Sequence, residues 1–285
     1  MWLITAIGSA ILFGLAGWWM KVSQMRGGST RMLLLGLYAS GTLGFGVHSA
    51  AEGTLPMLGN PYVWLAGFII GIGSAFGNAL FMKALDYGPA SLTSPLTNMN
   101  IILVIALATW WYKEPFSASE AAGAALLLLA VFLIAHKRKE PLTITEKRWF
   151  VLVAAAIILF AFRNGGLKVT DEWGLPSAPI LFIAYLLSLA WFLIPVRKAE
   201  QQQSKIKAMR TGLWFGLIAG LFSYGGLQLY AIAIATGQAN IAAPIFATNS
   251  LVVAALAITV YKEKLTLPQW MAFALTILGL IIIRL

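Results

Sequence analysis

Long apolar runs separated by short polar segments follow one another along the whole chain. Most runs reach the roughly 20 residues that a helix needs to cross a hydrocarbon core about 30 Å thick. The pattern predicts an all-α polytopic membrane protein with ten transmembrane helices and short connections. The predicted spans are 2–20, 32–51, 62–82, 89–111, 117–135, 149–168, 177–196, 212–234, 239–261 and 267–284.

An internal repeat relates the two halves of the chain. A shift of 149 residues aligns 84–120 with 233–269 without a gap, and 12 of these 37 positions are identical. Further matches extend the register upstream to two glycine pairs and downstream to two helix-capping boxes. The matched features are Pro95 with Pro244, Asn100 with Asn249, Tyr112-Lys113-Glu114 with Tyr261-Lys262-Glu263, Gly67 and Gly71 with Gly216 and Gly220, Ser74 with Ser223, and Ser117-x-x-Glu120 with Thr266-x-x-Gln269.

The repeat also predicts how the two halves are arranged. A shift of 147 matches Trp2 with Trp149, so the similarity reaches the first helix of each half. We therefore expect two five-helix repeats, residues 1–140 and 141–285. Because five is odd, the second repeat crosses the membrane in the opposite sense. Inverted repeats of this kind place a substrate site near the bilayer midplane and operate by rocking one repeat against the other.

Composition excludes a soluble protein and several kinds of chemistry. Hydrophobic residues make up 60% of the 285 positions and charged residues 11%, whereas soluble domains carry about 25% charged residues. The absence of cysteine excludes disulfides, thiolate metal sites and thiol catalysis. The net charge of +10 comes from basic residues in short segments between apolar runs, so we expect a lipid bilayer and no nucleic acid as partner.

The distribution of Lys and Arg predicts the orientation in the membrane. If both termini lie outside, 16 of the 20 basic residues fall on the inner side and four on the other side. The first apolar run is too long for a signal-peptide core and lacks a basic lead-in, so we interpret it as a retained helix. We expect a multi-pass protein of the cell membrane, plasma or inner, with both termini outside.

These features resemble the EamA-type branch of the drug/metabolite transporter superfamily. The resemblance rests on the ten-span 5+5 layout, the Pro and Asn of the fourth and ninth helices, the Tyr-Lys-Glu at their ends, and the glycine-rich fifth and tenth helices. It covers nearly the full chain. It implies export or bidirectional transport of small metabolites such as amino acids, through a central cavity lined mainly by helices 1, 3, 4, 6, 8 and 9.

Polar side chains inside the predicted spans are candidates for a substrate site, because such groups are costly in a membrane. Arg163 lies in the sixth helix, where its guanidinium either snorkels to the nearer face or grips a carboxylate or phosphate. Asn164, beside it, is then a neutral hydrogen-bond donor to the same substrate.

Two asparagines occupy equivalent places in the repeats. Asn100 and Asn249 each follow a proline, Pro95 or Pro244, by five residues. Each proline frees a backbone carbonyl and bends its helix, so we predict a kink in the fourth and in the ninth helix. The asparagines then either bond between helices or line the cavity.

Other polar candidates lie on the third, fourth and eighth helices. Thr97 shares one face of the fourth helix with Thr93 and Asn100, which gives that helix a polar stripe. The glycine pairs of the third and eighth helices are spaced four residues apart, as expected for close helix packing. We expect the polar side chains near them to face the cavity, and these are Asn78, Tyr224 and Gln228.

Several conspicuous residues have both a structural and a functional interpretation. Trp18 and Trp19 end the first helix, either in an interfacial aromatic belt or as rings that stack on the substrate. His48 has no evident partner, which favours a local hydrogen bond over a proton relay. The two Tyr-Lys-Glu segments lie at helix ends, where solvated side chains are more common than gating ion pairs.

The pattern favours a transporter over an enzyme. No His-Glu-x-x-His motif, Gly-x-Ser-x-Gly elbow or nucleotide-binding loop occurs, so we expect no catalytic residue, no metal or cofactor, and no direct use of ATP. We predict a secondary active transporter that moves a small polar metabolite, an amino acid or related organic solute, by export. The alternatives are uptake or exchange of a quaternary amine or other metabolite through the same fold, and a non-transporting membrane subunit. The coupling ion and the choice between monomer and homodimer stay open.

Overall fold

A computed structural model of the chain describes residues 1–84, 87, 93, 96–134, 146–194, 203–261 and 267–283. Within these ranges the regular structure is helical and no strand is present. A short 3₁₀ helix, Leu55–Gly59, follows α2. The main helices are α1 (Trp2–Met25), α2 (Thr30–Ala51), α3 (Pro61–Ala84), α4 (Asn100–Ala106) with a π-helical turn at Leu107–Trp111, α5 (Ala118–Ile134), α6 (Arg148–Glu172), α7 (Ser177–Leu193), α8 (Gln203–Thr236), α9a (Ala239–Ala247), α9b (Asn249–Tyr261) and α10 (Leu267–Ile282).

The helices give the all-α polytopic fold that hydropathy predicted. By length and composition, four helices of the described residues can cross a membrane: α1, α3, α6 and the Ile206–Thr236 part of α8. Shorter apolar helices occupy other predicted spans. Three boundaries differ from expectation by four residues or more, since α1 continues to Met25 rather than ending at 20, α6 continues to Glu172 rather than ending at 168, and α8 begins at Gln203 rather than 212. A helix pairs the hydrogen-bonding groups of its own backbone whatever its side chains are, so polar turns can continue a helix past its apolar span.

Equivalent helices of the two repeats contact each other and run antiparallel. Near the start of α5, a β-carbon on Gly123 would lie 2.6 Å from Ile283, just after the end of α10. Near the start of α2, Arg31 donates a 3.1 Å hydrogen bond to the carbonyl of Phe192 at the end of α7. Near the end of α2, Gly46 packs against Phe182 of α7. The two repeats therefore have opposite orientations, which confirms the predicted inverted topology.

Two membrane faces follow from this arrangement. The face where α1 begins is called the N-terminal face here, and α4, α6 and α8 end at it, whereas α9a begins at it. A β-carbon on Gly237, between α8 and α9a, would lie 2.9 Å from Trp2, which places both at this face. Gly28 and Gly212 approach each other at the opposite face.

The paired glycines let helices of different repeats approach closely. A β-carbon on Gly71 of α3 would lie 2.9 Å from the carbonyl oxygen of Ala184 in α7. In the equivalent contact, a β-carbon on Gly220 of α8 would lie 2.2 Å from the carbonyl oxygen of Leu37 in α2. Gly67 and Gly216 make matching approaches one turn earlier. The prediction that these glycines serve packing is confirmed.

Helices 4 and 9 are interrupted at equivalent positions. The Thr248 amide donates to the Ile245 carbonyl at 3.1 Å, and the equivalent Met99 amide donates to the Leu96 carbonyl at 3.0 Å. These i to i−3 bonds lie immediately before Asn249 and Asn100. Pro244 lies inside α9a, four residues before the interruption, whereas Pro95 lies outside the described residues. Hinge motion at either proline stays a prediction.

One of the two predicted capping boxes is confirmed. The Ser117 amide donates to the Glu120 carboxylate at 2.7 Å, and the Glu120 amide donates to the Ser117 hydroxyl at 3.2 Å. This reciprocal pair satisfies two amides at the start of α5. The other box includes Thr266, which lies outside the described residues.

Candidate functional site

A chain of buried polar groups joins the two repeats between α4 and α6. The Arg163 Nε donates to Asn164 Oδ1 at 3.0 Å, and the Asn164 amide donates to Asn100 Oδ1 at 2.8 Å. The Asn100 amide in turn donates to the Thr97 carbonyl at 2.7 Å. We call these four residues the central network. At 1.5 Å per residue, Arg163 lies about 22 Å along α6 from Arg148.

Arg163 faces the protein interior and does not snorkel. Its exposed fraction is 4%. The guanidinium carbon lies 5.1 Å from the ring centroid of Phe13 and 4.6 Å from that of Phe160, as in cation–π contacts. Among the described residues, Arg163 has no carboxylate within 4.0 Å, and its two terminal nitrogens have no hydrogen-bond partner. The interior location removes one alternative, and the role in substrate binding stays a prediction.

The polar stripe of helix 4 faces α6. Trp149, at the start of α6, donates its indole hydrogen to the Thr93 hydroxyl at 3.0 Å. Thr97 donates to the Thr93 carbonyl of its own helix at 3.0 Å, and Asn100 accepts from Asn164 of α6. All three stripe residues are buried. The stripe is therefore a single surface between the repeats.

The two equivalent asparagines have the same local bond but different surroundings. Asn249 donates to the Phe246 carbonyl at 2.8 Å, exactly as Asn100 donates to Thr97 three residues earlier in its own helix. Asn249 is only half-buried, and the β-carbon position of Gly14 in α1 lies 2.7 Å from its backbone carbonyl. It lies outside the central network.

A tyrosine pair lies between α2 and α7. The rings of Tyr38 and Tyr185 meet edge to face with centroids 5.2 Å apart. The Tyr38 hydroxyl lies 3.1 Å from the Ser74 hydroxyl, and the equivalent Tyr185 hydroxyl lies 2.7 Å from that of Ser223. Asn78, a predicted site residue, donates to the Tyr38 oxygen at 2.9 Å. The shift of 147 that matches Trp2 with Trp149 also matches this pair, so the sequence contains a signal that the prediction missed.

Other predicted site residues lie apart from the central network. Tyr224 is 2.9 Å from His48 Nδ1, while His48 Nε2 is 2.9 Å from Glu52, so His48 does have partners. Gln228 is buried, lies 3.5 Å from the Ser177 hydroxyl, and has an unpartnered carbonyl oxygen. Trp18 is also buried, in a cluster with Val22, Leu33, Met82 and Phe215, so it does not belong to a lipid-facing belt.

A second buried cluster lies at the N-terminal face and was not predicted. The Glu114 carboxylate lies 2.8 Å from the Lys168 ammonium and accepts the backbone amides of Ala239 at 3.0 Å and Asn240 at 2.9 Å. Lys168 also pairs with Glu172. The Lys168 and Glu114 side chains are only 5% and 9% exposed. We call the Glu114 contacts to Lys168 and to the start of α9a the N-terminal cluster.

The first Tyr-Lys-Glu segment therefore differs from the expected solvated helix end. Glu114 is buried and stabilises the positive end of α9a, where amides have no intrahelical acceptor. Lys113 has a positive φ of 56°, an uncommon conformation for a residue other than glycine. Within the second segment, Lys262 and Glu263 lie outside the described residues.

Tyr230 is another buried group that sequence reasoning missed. It is fully buried, and its hydroxyl has no hydrogen-bond partner in the described part of the chain. Its ring packs on Phe246 with centroids 4.5 Å apart, and Phe246 packs on Phe13 at 4.9 Å. An aromatic contact path thus connects Tyr230 to the ring beneath Arg163.

Comparison with known proteins identifies the family. The EamA-like transporter family model matches residues 1–136 and 147–285, once in each half. A curated relative from Serratia proteamaculans (strain 568) is described as "Probable 4-amino-4-deoxy-L-arabinose-phosphoundecaprenol flippase subunit ArnE". It is 32% identical over 71 residues, which are 25% of this chain and 60% of the relative. The aligned part thus covers less than two thirds of that relative.

A solved structure shares the fold. The structure, described only as "Crystal structure of protein", superposes with a TM-score of 0.70 over 98% of this chain and 94% of its own. At 14% identity this likeness concerns the fold alone. Because the family model matches both repeats, the chain belongs to the EamA-like transporter family of the drug/metabolite transporter superfamily, whose members are in general transporters and not enzymes.

Proposed function

We propose that the protein is a secondary active transporter that moves a small polar metabolite, an amino acid or related organic solute, by alternating access and in the direction of export. The observation that carries this proposal is the central network, in which Arg163 donates to Asn164 within the second repeat and Asn164 donates to Asn100 of the first repeat. Polar and charged groups at such depth are costly in a membrane and are typical of substrate pathways.

The position of the central network fits rocking of the repeats. Asn100 belongs to α4 of the first repeat and Asn164 to α6 of the second, so any relative motion of the repeats changes the site. The helix interruptions at Met99 and Thr248 lie next to Asn100 and Asn249. Discontinuous helices beside a midplane site are characteristic of inverted-repeat transporters.

The N-terminal cluster is proposed as the gate of one face. Glu114 of the first repeat holds two parts of the second repeat, Lys168 of α6 and the start of α9a. These contacts are formed in the structure, and we propose that they close this face above the central network. Opening toward this face then requires the ion pair to separate, and the opposite face opens while the pair persists.

The proposed orientation in the membrane rests on the distribution of basic residues. The bias of 16 to four basic residues favours an outer N-terminal face, which makes the N-terminal cluster the outer gate. The proposed location is the cell membrane. Export then means loading from the opposite, inner face and release when the Glu114–Lys168 pair opens.

Two alternatives receive different support. A quaternary amine would meet the positive charge of Arg163, which has no acidic partner among the described residues and opposes the binding of a cation in a low-dielectric interior. The alternative of a non-transporting subunit has one observation in its favour, because the curated relative is described as a flippase subunit.

Counterflow in proteoliposomes tests the proposal. Purified protein is reconstituted with a trapped unlabelled solute, and uptake of labelled amino acids and organic acids is followed. We expect saturable counterflow of at least one solute, lost in Arg163→Ala and Asn100→Ala and retained in Arg148→Ala, a control that removes an exposed arginine. Intact counterflow in Arg163→Ala and Asn100→Ala would refute the site. No counterflow for any solute class would refute secondary transport.

A further inference from the structure

We infer that the transported solute is an anion and that Arg163 and Tyr230 together bind its carboxylate or phosphate group. This inference rests on the proposed function, since it names the class of solute that the same central site takes. Tyr230 is not among the residues that the sequence pattern indicated, and its role follows from the structure.

The first observation is the missing counter-charge of Arg163. Its Nε bonds to Asn164, but the terminal nitrogens, which carry four of its five N–H donors, have no partner in the described ranges. A candidate counter-ion, Glu114, is held by Lys168 and two backbone amides. A guanidinium in a low-dielectric interior with an unfilled fork favours the binding of an anion there.

The second observation is the orphan hydroxyl of Tyr230. The side chain is fully buried, so water at the surface does not satisfy the hydroxyl. Arg163 cannot satisfy it as an acceptor, because a guanidinium has only donors. The hydroxyl hydrogen therefore needs an acceptor that the described residues do not supply.

The two unsatisfied groups lie in one neighbourhood. The Tyr230 phenol is close enough to the Arg163 guanidinium and to the Glu114 carboxylate to interact with both electrostatically. The contacts from Arg163 to Phe13, from Phe13 to Phe246 and from Phe246 to Tyr230 form the same path. We therefore assign the guanidinium fork and the Tyr230 hydroxyl to one ligand site.

The chemistry that satisfies both groups is an oxyanion. Two oxygens of a carboxylate or phosphate match the two terminal nitrogens of Arg163, and such charge-assisted bonds are shorter and stronger than neutral ones. An oxyanion also has lone pairs left to accept the Tyr230 hydroxyl. An amide or alcohol provides an acceptor but leaves the positive charge of Arg163 uncompensated. A cation is repelled by that charge.

Ligand-induced thermal stabilisation tests the inference. Purified protein in detergent is titrated with amino acids, short monocarboxylates and phosphate monoesters, with their uncharged amide or alcohol analogues, and with quaternary amines. We expect stabilisation by one of the anionic sets at concentrations where the uncharged analogues and the amines have no effect. Carboxylates and phosphate monoesters are scored separately, which identifies the oxyanion. The stabilising compound is then tested in counterflow.

A single-atom variant isolates Tyr230. Tyr230→Phe removes only the hydroxyl, so it is expected to fold and to lower the affinity for the stabilising anion by about 10- to 100-fold, as for one bond to a charged group. Arg163→Lys, which keeps the charge and loses the fork, is expected to lower it as well. Tyr62→Phe is the control, because Tyr62 is exposed and distant in sequence from both groups.

The outcomes separate the inference from the proposed function. Equal stabilisation by anions and uncharged analogues, or an unchanged affinity in Tyr230→Phe, overturns the inference. Counterflow of a cation or neutral solute without any anion also overturns it, while secondary transport stands. If no class of solute gives stabilisation or counterflow, the proposed function is refuted, and the inference fails with it.

Discussion

The Glu114–Lys168 ion pair gives a quantitative test of the gate. In Glu114→Gln the side chain keeps its shape and can still accept one backbone amide of α9a, but it loses the charge that faces Lys168. Removing one partner of a buried ion pair costs about 3–5 kcal/mol. Lys168 retains Glu172, so we take about 2 kcal/mol as the loss specific to the closed state.

That loss predicts a measurable shift in population. Since 1.4 kcal/mol corresponds to a factor of ten, a bias of about 2 kcal/mol raises the ratio of open to closed N-terminal face by about 30-fold. The chain has no cysteine, so a single introduced thiol is read without background. Ala239 is fully buried beside Glu114, and Ala239→Cys reports its exposure to a membrane-impermeant maleimide.

We expect the labelling rate to be about 30-fold higher in Glu114→Gln than in the parent Ala239→Cys protein. This figure holds when labelling is slow compared with opening and closing of the face. Glu146→Gln, which neutralises an acid half-exposed at the opposite face, is the matched control and should leave the rate unchanged. An unchanged rate in Glu114→Gln, or an equal rise in the control, would contradict the assignment of this pair as a gate.

Three further changes test the fold and the central network. Gly220→Ala places a β-carbon 2.2 Å from the Leu37 carbonyl and should lower the free energy of unfolding by about 3 kcal/mol, whereas Gly59→Ala, with nothing within 4 Å, should be neutral in the same thermal unfolding assay. Ser117→Ala should lower the free energy of unfolding by about 1 kcal/mol through loss of the α5 cap. Ser119→Ala, two residues later, should lower it less. Asn100→Ala should change stability by only about 1 kcal/mol but abolish counterflow; a large stability loss with normal counterflow would assign Asn100 to structure.

The architecture was predictable because local and periodic sequence patterns determine it. Hydropathy marks the apolar spans, and the shift of 149 residues relates Gly71 to Gly220 and Ser74 to Ser223, which occupy equivalent contacts in the structure. The inverted orientation follows from the odd number of helices in each repeat. These features need no knowledge of which helices touch.

The central network was predictable only in part. Arg163 and Asn164 are conspicuous because ionisable and amide groups are rare at membrane depth, and in the structure Arg163 bonds to Asn164, which bonds to Asn100. The sequence does not show that Asn100 accepts a hydrogen bond from Asn164 of another helix, whereas the equivalent Asn249 bonds, among the described residues, to a carbonyl of its own helix. Alanine and glycine stand in the first repeat where the second has Arg163 and Asn164, so the repeats diverged at this contact.

The N-terminal cluster and Tyr230 were not predictable from local pattern. Glu114 meets a helix start 125 residues later in the chain and a lysine on a third helix, and only the tertiary fold brings them together. A tyrosine in an apolar helix is common, and Tyr230 becomes informative only because its buried hydroxyl lacks a partner among the described residues. The sequence indicates how deep a polar side chain lies in the membrane, but not whether that side chain has a hydrogen-bond partner in the fold.

The central claim is that inverted repeats enclose one site, at the central network, that opens alternately to the two faces. Thr97→Cys, at a buried position three residues before Asn100, tests it most directly in proteoliposomes of known orientation. We predict that an impermeant thiol reagent labels this cysteine from either face, that Glu114→Gln shifts labelling toward the N-terminal face, and that the transported solute protects it from both. Labelling from neither face, or from a single face under every condition, would contradict the account.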